Sequence, residues 1–337
     1  MSPPQGPVRV LVADDSELFR ELLARIIALD PDLEVVATVG DGLAAAELTR
    51  ALRPDVVTID LDMSEADGCA SVTRIMAETP TPILVLTAYR EEAAGFRALA
   101  LGALDILEKP SPRSTLEEFG ELLRSRLSLL AGVRVTPTGQ SARGGKEPGT
   151  PSLRTELVVV GASLGGPRAL AALLGALPAS FPAPILVVQH IAEGFTAGLA
   201  GWLAQESRLE VREAQDGDEL RPGLVLLAPS GRHLLVAAGV ARLHDGPPVD
   251  TFKPSVTPLF ESAASAYGPR ACAVVLTGMG RDGAEGVRAL KQAGATVLVQ
   301  DEASSAVHGM PSAALEAGAD RTVSLDELPG VLVELAG

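Results

Sequence analysis

Leu157-Val-Val-Val-Gly-Ala-Ser-Leu-Gly-Gly-Pro167 runs from an apolar, β-branched stretch into Ser163, which stands among Gly161, Gly165 and Gly166. A run of this kind, ending at a glycine-flanked serine and passing into the alanine- and leucine-rich Arg168 to Leu177, predicts strand, sharp turn, helix. Such a turn projects one side chain from the end of a sheet, with backbone N–H groups and a helix N-terminus beside it. Two chemistries fit that position. Either the turn cradles a phosphate, or Ser163 is a nucleophile. The dinucleotide fingerprint G-x-G-x-x-G needs glycine where the chain must approach a pyrophosphate closely, and that place is held by Ser163. The segment does satisfy G-x-S-x-G, in which small flanking residues let a serine occupy a strained elbow. An ordinary strand-to-helix turn also accounts for the pattern, so the rest of the chain has to decide.

At 337 residues the chain exceeds one average domain, and a prior of about 150 residues per domain predicts two. Hydrophobic residues make up 47% and aromatics only 3%, so the cores are built from Ala, Val, Leu and Ile. A net charge of −15 repels a phosphate backbone and argues against nucleic acid as a partner. Met1 to Pro7 lacks a basic segment followed by an apolar core, and no stretch offers about 18 uninterrupted apolar residues. The expectation is a cytoplasmic protein that is not inserted in a membrane. Cys69 and Cys272 fall in different halves, which disfavours a disulfide framework or thiolate metal site. Both are expected to be small buried hydrophobes.

Working back to the amino terminus, Val8 to Ala13, Val35 to Val39, Val56 to Leu61, Ile83 to Thr87 and Ala103 to Leu107 are short apolar runs, each followed by helical periodicity. That alternation implies a parallel sheet covered by helices on both faces, with function at the strand carboxyl ends. Those ends carry Asp14 and Asp15, then Asp60, then Thr87, then Lys109. Carboxylates gathered at one edge need a cation, and Mg²⁺ takes hard oxygen ligands while keeping waters for an incoming phosphoryl group. Asp60 then suits a phosphoryl acceptor, with Thr87 and Lys109 balancing charge on the transferred oxygens. The simpler roles are a helix cap for Asp15 or Ser16 and a solvated Lys109.

The motifs V-L-V-A-D-D-S-E-L-F-R, D-V-V-T-I-D-L-D-M, L-T-A and E-K-P resemble the receiver domain of bacterial response regulators, from Val8 to about Leu130. The resemblance implies a flavodoxin-like fold, phosphorylation of Asp60 by a partner histidine kinase, and Mg²⁺ held by Asp14, Asp15, Asp60 and the backbone carbonyl of Asp62. Two residues depart from the receiver pattern: Ser64 replaces the usual proline after Met63, and Ile106 stands where most receivers carry an aromatic switch.

From Gly132 to Leu153 the apolar pattern lapses into Gly, Pro, Ser and Thr, the composition of a flexible linker. The expected division is therefore residues 1–131, a linker over 132–153, and a second domain over 154–337. In that second part, Pro184 to Gln189, Glu210 to Glu213, Val225 to Leu227, His233 to Val236, Cys272 to Leu276 and Thr296 to Val299 are further strand candidates. They predict a second α/β sheet. The stretch from Val211 to Leu243, with turns at Asp216-Gly217 and Ala238-Gly239, is expected to add antiparallel strands at one edge.

A serine hydroxyl is a weak nucleophile near neutral pH, so a catalytic Ser163 needs a base and the base an orienting carboxylate. Of His190, His233, His244 and His308, His190 is best placed, because it ends a predicted parallel strand on the edge that carries Ser163. Asp282 follows another such strand in a glycine-rich turn, where it can equally serve as a helix N-cap. The order Ser163, His190, Asp282 differs from the Ser, Asp, His order of α/β-hydrolases. His233 reads as an edge-strand residue, and His244 and His308 as turn and loop residues. No histidine pair has close zinc-ligand spacing.

G-A-S-L-G-G-P, V-Q-H-I-A-E-G-F-T, R-P-G-L-V-L-L-A-P, H-D-G-P-P-V-D, K-P-S-V, L-T-G-M-G-R-D-G and A-V-H-G-M-P are similar to the catalytic domain of chemotaxis protein-glutamate methylesterases, the CheB family, over Leu157 to about Leu315. The resemblance implies a Rossmann-like α/β fold behind the receiver, so that the whole is two doubly wound parallel-sheet domains. It implies that Ser163 attacks the γ-methyl ester of a glutamate on a methylated chemoreceptor, that His190 takes and returns the proton, and that Asp282 orients His190. Methanol leaves, the Met279 backbone N–H helps to hold the oxyanion, and no cofactor is called for at the esterase site. Deamidation of receptor glutamines is the same acyl chemistry with ammonia leaving. Leu164 departs from the threonine common after the serine in this family. The resemblance further implies that the unphosphorylated receiver restrains the esterase. The rival expectation is a non-catalytic, phosphorylation-controlled signalling module.

Overall fold

The computed structural model describes residues 6–61, 63, 65–87, 92–110, 115–133, 154–192 and 194–337, the side chains of 65–67 and 92–93 excepted. The described residues fall into two compact units that part between residues 140 and 141. Residues 134–153, most of the expected linker, lie outside the described residues, as do Asp62 and Ser64.

The first unit is built on β1 (Val8–Ala13), β2 (Leu33–Val39), β3 (Val56–Asp60), β4 (Ile83–Thr87) and β5 (Asp105–Glu108). They form a five-stranded sheet in the order β2-β1-β3-β4-β5 with every neighbouring pair parallel. This is a doubly wound order, in which the chain turns back at β1 and β3 and leaves a crevice beyond their carboxyl ends. β3 and β4 are buried along their whole length, which explains their continuous apolar runs: a strand covered by helices on both faces has no solvent side on which to alternate. The Glu17–Ile27 helix starts at Ser16, whose side chain accepts from Phe19 N. That places the capping role on Ser16 rather than Asp15.

The second unit contains β6 (Leu157–Ala162), β7 (Ile185–Gln189), β8 (Glu210–Glu213), β9 (Leu224–Leu227), β10 (His233–Ala237), β11 (Val240–His244), β12 (Ala271–Val275), β13 (Thr296–Gln300) and β14 (Arg321–Val323). Its main sheet is seven-stranded, in the order β14-β13-β12-β6-β7-β9-β8, and parallel throughout. The opening strand β6 lies at its centre between β12 and β7 and is wholly buried. The strand order reverses at β6, so the carboxyl ends of β12, β6 and β7 border the crevice where open α/β sheets bind ligands.

The expected antiparallel edge is not found. β8 pairs with β9 in parallel as part of the main sheet, whereas β10 and β11 make a two-stranded antiparallel sheet of their own. Their turn, Ala238-Gly239, has φ of 50° and 80°, the two left-handed residues a tight hairpin with right-handed twist requires. The hairpin is held to the Val256–Tyr267 helix, in part by Val236 N donating to Ser262 Oγ at 3.1 Å. β14 has only three residues, two of them exposed, and offers no apolar run by which to foresee it. Cys272 is fully buried, which pushes its thiol up to about 12, but Cys69 is only partly buried.

Candidate active site and receiver pocket

In the first unit, Asp14 ends the run of β1, Asp60 ends β3 and Thr87 ends β4; all three are fully buried. Carboxylate oxygens of Asp14, Asp15 and Asp60 lie within 4.8 Å of one another. Lys109, just beyond β5, reaches back with Nζ 2.9 Å from Asp14 Oδ2 and 2.6 Å from Asp60 Oδ2. Burial works against its charge, but the bonds to Asp60 and Asp14 outweigh that and raise its pKa. Lys109 N also donates to Thr87 O at 2.9 Å, and Nζ lies 4.8 Å from the centre of the Phe19 ring. Lys109 is thus fixed in the pocket rather than solvated. The hard-oxygen set, two members buried and one exposed, fits a Mg²⁺ ion that keeps part of its water shell. Ile106 is 5% exposed and packs on Gly95 of the Glu92–Leu101 helix, where a Cβ would come within 3.0 Å of its Cδ1.

In the second unit, the chain leaves β6 at Ala162 and turns immediately. Ser163 N donates to Thr277 O at 3.1 Å, and Gly166 N closes the turn on Ser163 O at 2.8 Å. The left-handed residue is Gly165, with φ +75°, at the N-cap of the Gly166–Ala176 helix. Ser163 itself has no positive φ, so the expected strain on the serine is carried by a glycine two residues later. The glycines have different tasks: a Cβ on Gly161 would come within 2.5 Å of Val256 Cγ1, and one on Gly166 within 1.9 Å of Gln189 Oε1. Gly166 is therefore held to glycine by the Gln189 amide packed against it.

His190 follows β7, with its backbone N donating to Ala162 O at 3.0 Å. Its Nε2 lies 2.8 Å from Asp282 Oδ2, while its buried Nδ1 has no hydrogen-bond partner among the described residues. Since an ionised carboxylate only accepts, Nε2 is the donor in this pair, and in a neutral imidazole Nδ1 is then the acceptor nitrogen. Asp282 is 3% exposed, and its remaining valences are filled by neighbours. Oδ1 accepts from Ser255 Oγ (2.7 Å), Thr257 Oγ1 (3.0 Å) and Thr257 N (3.2 Å), and Oδ2 accepts from Val256 N (2.7 Å). Burial works to raise the Asp282 pKa, but the His190 bond and charge, then Ser255 and Val256, hold it below the ordinary carboxylate range. Asp282 does sit at a helix N-terminus, though not that of the following helix, which is capped by Gly283 without a side-chain bond. It serves the Val256–Tyr267 helix, whose dipole adds to its stabilisation.

Met279 follows Gly278 and is 44% exposed. A Cβ on Gly278 would come within 2.9 Å of Ser163 Cβ, so glycine there lets the Met279 peptide approach the serine closely. Leu164 is buried at 6% exposure, and its carbonyl accepts from Thr277 Oγ1 at 2.9 Å.

Sequence reasoning missed three supporting residues. Phe252 stacks on the His190 ring, centroids 3.9 Å apart and planes 3° apart. It is presented by a tight turn in which Val249 and Phe252 exchange backbone bonds and the central Asp250 and Thr251 have φ of 47° and 74°. Ser255 supports Asp282, and K-P-S-V was visible as a motif but had no assigned chemistry. His233, in the edge strand β10, is nevertheless buried: it is 1% exposed, its Nδ1 accepts from Ser255 N at 3.2 Å, and its Nε2 lies 3.0 Å from Pro247 O. His308 meets Gly278 through a backbone bridge.

Fold and geometry together define a class: two-domain α/β proteins that join an aspartate receiver pocket to a serine, histidine and aspartate gathered at a sheet switch point. Residues 158–332 match the CheB methylesterase family model, and residues 10–119 match the response regulator receiver domain. Over 98% of this chain and 97% of the relative, it is 67% identical to protein-glutamate methylesterase/protein-glutamine glutaminase 2 of Anaeromyxobacter dehalogenans (strain 2CP-C). A Myxococcus xanthus (strain DK1622) relative, protein-glutamate methylesterase/protein-glutamine glutaminase 4, is 46% identical over 96% of this chain and 95% of its own. Among solved structures, the Thermotoga maritima CheB methylesterase catalytic domain is similar with a TM-score of 0.52 and 40% identity, over 54% of this chain and 100% of that one. The chain belongs to the CheB family of receiver-linked protein-glutamate methylesterases.

Proposed function

We propose that this chain is a phosphorylation-regulated serine hydrolase that cleaves glutamate γ-methyl esters on chemoreceptors and deamidates receptor glutamines. The observation that carries the reading is the Asp282–His190 pair: Nε2 is committed to a saturated, buried carboxylate, so Nδ1 is the nitrogen left to serve as base for Ser163, which follows the Ala162 carbonyl that His190 N bonds. Nδ1 takes the Ser163 proton as Oγ attacks the ester carbonyl, and the Met279 N–H steadies the oxyanion. The proton then passes to the leaving methoxide, giving methanol and an acyl-serine. Water, deprotonated by the same nitrogen, releases glutamate and restores Ser163. With a glutamine substrate the proton goes to departing ammonia. No step calls for a cofactor.

In the receiver, Asp60 accepts a phosphoryl group from a histidine kinase, and Lys109 holds charge beside the acceptor oxygen. Asp14, Asp15 and Asp60, with the Asp62 carbonyl, would hold Mg²⁺, which when bound neutralises charge on the phosphoryl oxygens. Thr87 lines the same edge. Phosphorylation raises esterase activity, so the part from residue 154 onward, expressed alone, exceeds the resting full-length protein. No helix among the described residues is long and apolar enough to cross a membrane, and the protein works in the cytoplasm on the receptors' cytoplasmic side, without nucleic acid. The deciding experiment measures methanol from methylated receptor with wild type and Ser163→Ala, with and without a small phosphodonor. Release by wild type alone, increased by the donor, is expected; equal release by both proteins would overturn the reading.

A further inference from the structure

We propose that Gln189 is a positioning residue for the esterase reaction, a clamp that fixes nucleophile and base relative to each other through their main chains. The proposal rests on the roles given above to Ser163 and His190. Gln189 is the last residue of β7, stands opposite Ala162 of β6, and is 5% exposed. Its Nε2 donates to Ser163 O and to His190 O, each at 2.8 Å. One amide group thereby ties the two chain segments just past their last backbone bond, His190 N to Ala162 O. The opposite amide orientation would set an oxygen against two carbonyls, so the donor assignment follows from chemistry.

The other end of the side chain separates positioning from packing. Oε1 is buried with no hydrogen-bond partner among the described residues and lies against Gly166, where a Cβ would intrude to 1.9 Å. An orphaned buried oxygen is destabilising, and an apolar side chain of the same shape would fill the space without it. Glutamine gains only the two donated bonds, both to the carbonyls of the reacting residues. Gly166 in turn is required by the amide it accommodates.

The test uses the full-length protein, methylated receptor and a fluorophosphonate probe that labels the active serine, with wild type, Ser163→Ala, Gln189→Met and Gln189→Glu. Gln189→Met keeps length and volume but donates nothing. Its kcat and its labelling rate should fall together by about 10- to 100-fold, as misplacement of reacting groups by a fraction of an ångström predicts, with KM within twofold. Gln189→Glu should be worse at neutral pH and recover relative to Gln189→Met as pH falls, because a protonated acid again donates to one carbonyl. Gln189→Met with kcat and labelling within twofold of wild type, or with a loss accounted for by its unfolded fraction in a thermal melt, overturns the proposal alone. Methanol release and labelling that survive in Ser163→Ala overturn the site reading and the proposal with it.

Discussion

Both sheet edges bury carboxylates, yet they neutralise them by different means. In the receiver, Asp14 and Asp60 both meet a side-chain cation, Lys109 Nζ, Asp14 Oδ1 also accepts from Ser16 N at 2.9 Å, and Asp15 stands beside them exposed. In the esterase, Asp282 accepts from two hydroxyls, two backbone N–H groups and one histidine. A charge balanced by a long lysine and an exchangeable ion can be re-balanced when a phosphoryl group arrives. One balanced by fixed donors cannot, and its only adjustable partner is His190. The first arrangement suits a switch, the second an orienting group that keeps its geometry through a reaction cycle.

Ser163→Ala should have the largest effect on this contrast, lowering methanol release by about 10⁴-fold or more while leaving phosphorylation of Asp60 unchanged. Asp282→Asn tests whether the fixed donors matter by holding a charge. An amide there removes the charge that selects the Nε2–H tautomer, and kcat should fall by about 10³- to 10⁴-fold. Its stability effect has a defined sign. The Asp282 pKa is depressed in the folded state, so the stabilisation is present above the ordinary aspartate value of about 3.9 and lost as pH falls through the depressed one. Wild type and Asp282→Asn should accordingly converge in thermal midpoint under acid.

On the switch side, Asp60→Asn should abolish stimulation by a phosphodonor and keep basal methanol release within about twofold, since a near-isosteric substitution in the first unit leaves every residue of the Ser163 site unchanged. Phe252→Ala removes the ring stacked on His190, and a stacking energy of about 1 kcal/mol predicts a fall of several-fold in kcat. The smallest effect concerns the turn that presents that ring. A β-branched residue at φ 74° is strained, so Thr251→Gly should raise stability by up to about 1 kcal/mol, measured by urea denaturation.

Much of the site was legible because parallel α/β sheets put chemistry at strand ends, and strand ends can be read from where apolar runs stop. Asp14, Asp60, Thr87, Lys109, Ser163 and His190 all lie at such stops. Asp282 was legible as a residue after a strand and as a helix cap, but the sequence did not say of which helix: the donors come from one that begins 26 residues earlier. Phe252 and Ser255 escaped notice, and His233 was given no part in the site, for a related reason. They act from an irregular loop and a detached hairpin, where no periodicity marks which side chain turns inward.

The sequence by itself determined two doubly wound sheets, the residues at their edges and the family, because burial on both faces writes continuous apolar runs and function follows where they end. Tertiary structure alone decided which imidazole nitrogen bonds Asp282, which groups saturate that carboxylate, that β8 and β9 extend the main sheet, and what Gln189 holds. Those facts depend on directions and on contacts between segments far apart in the chain, and a one-dimensional pattern of polarity contains neither.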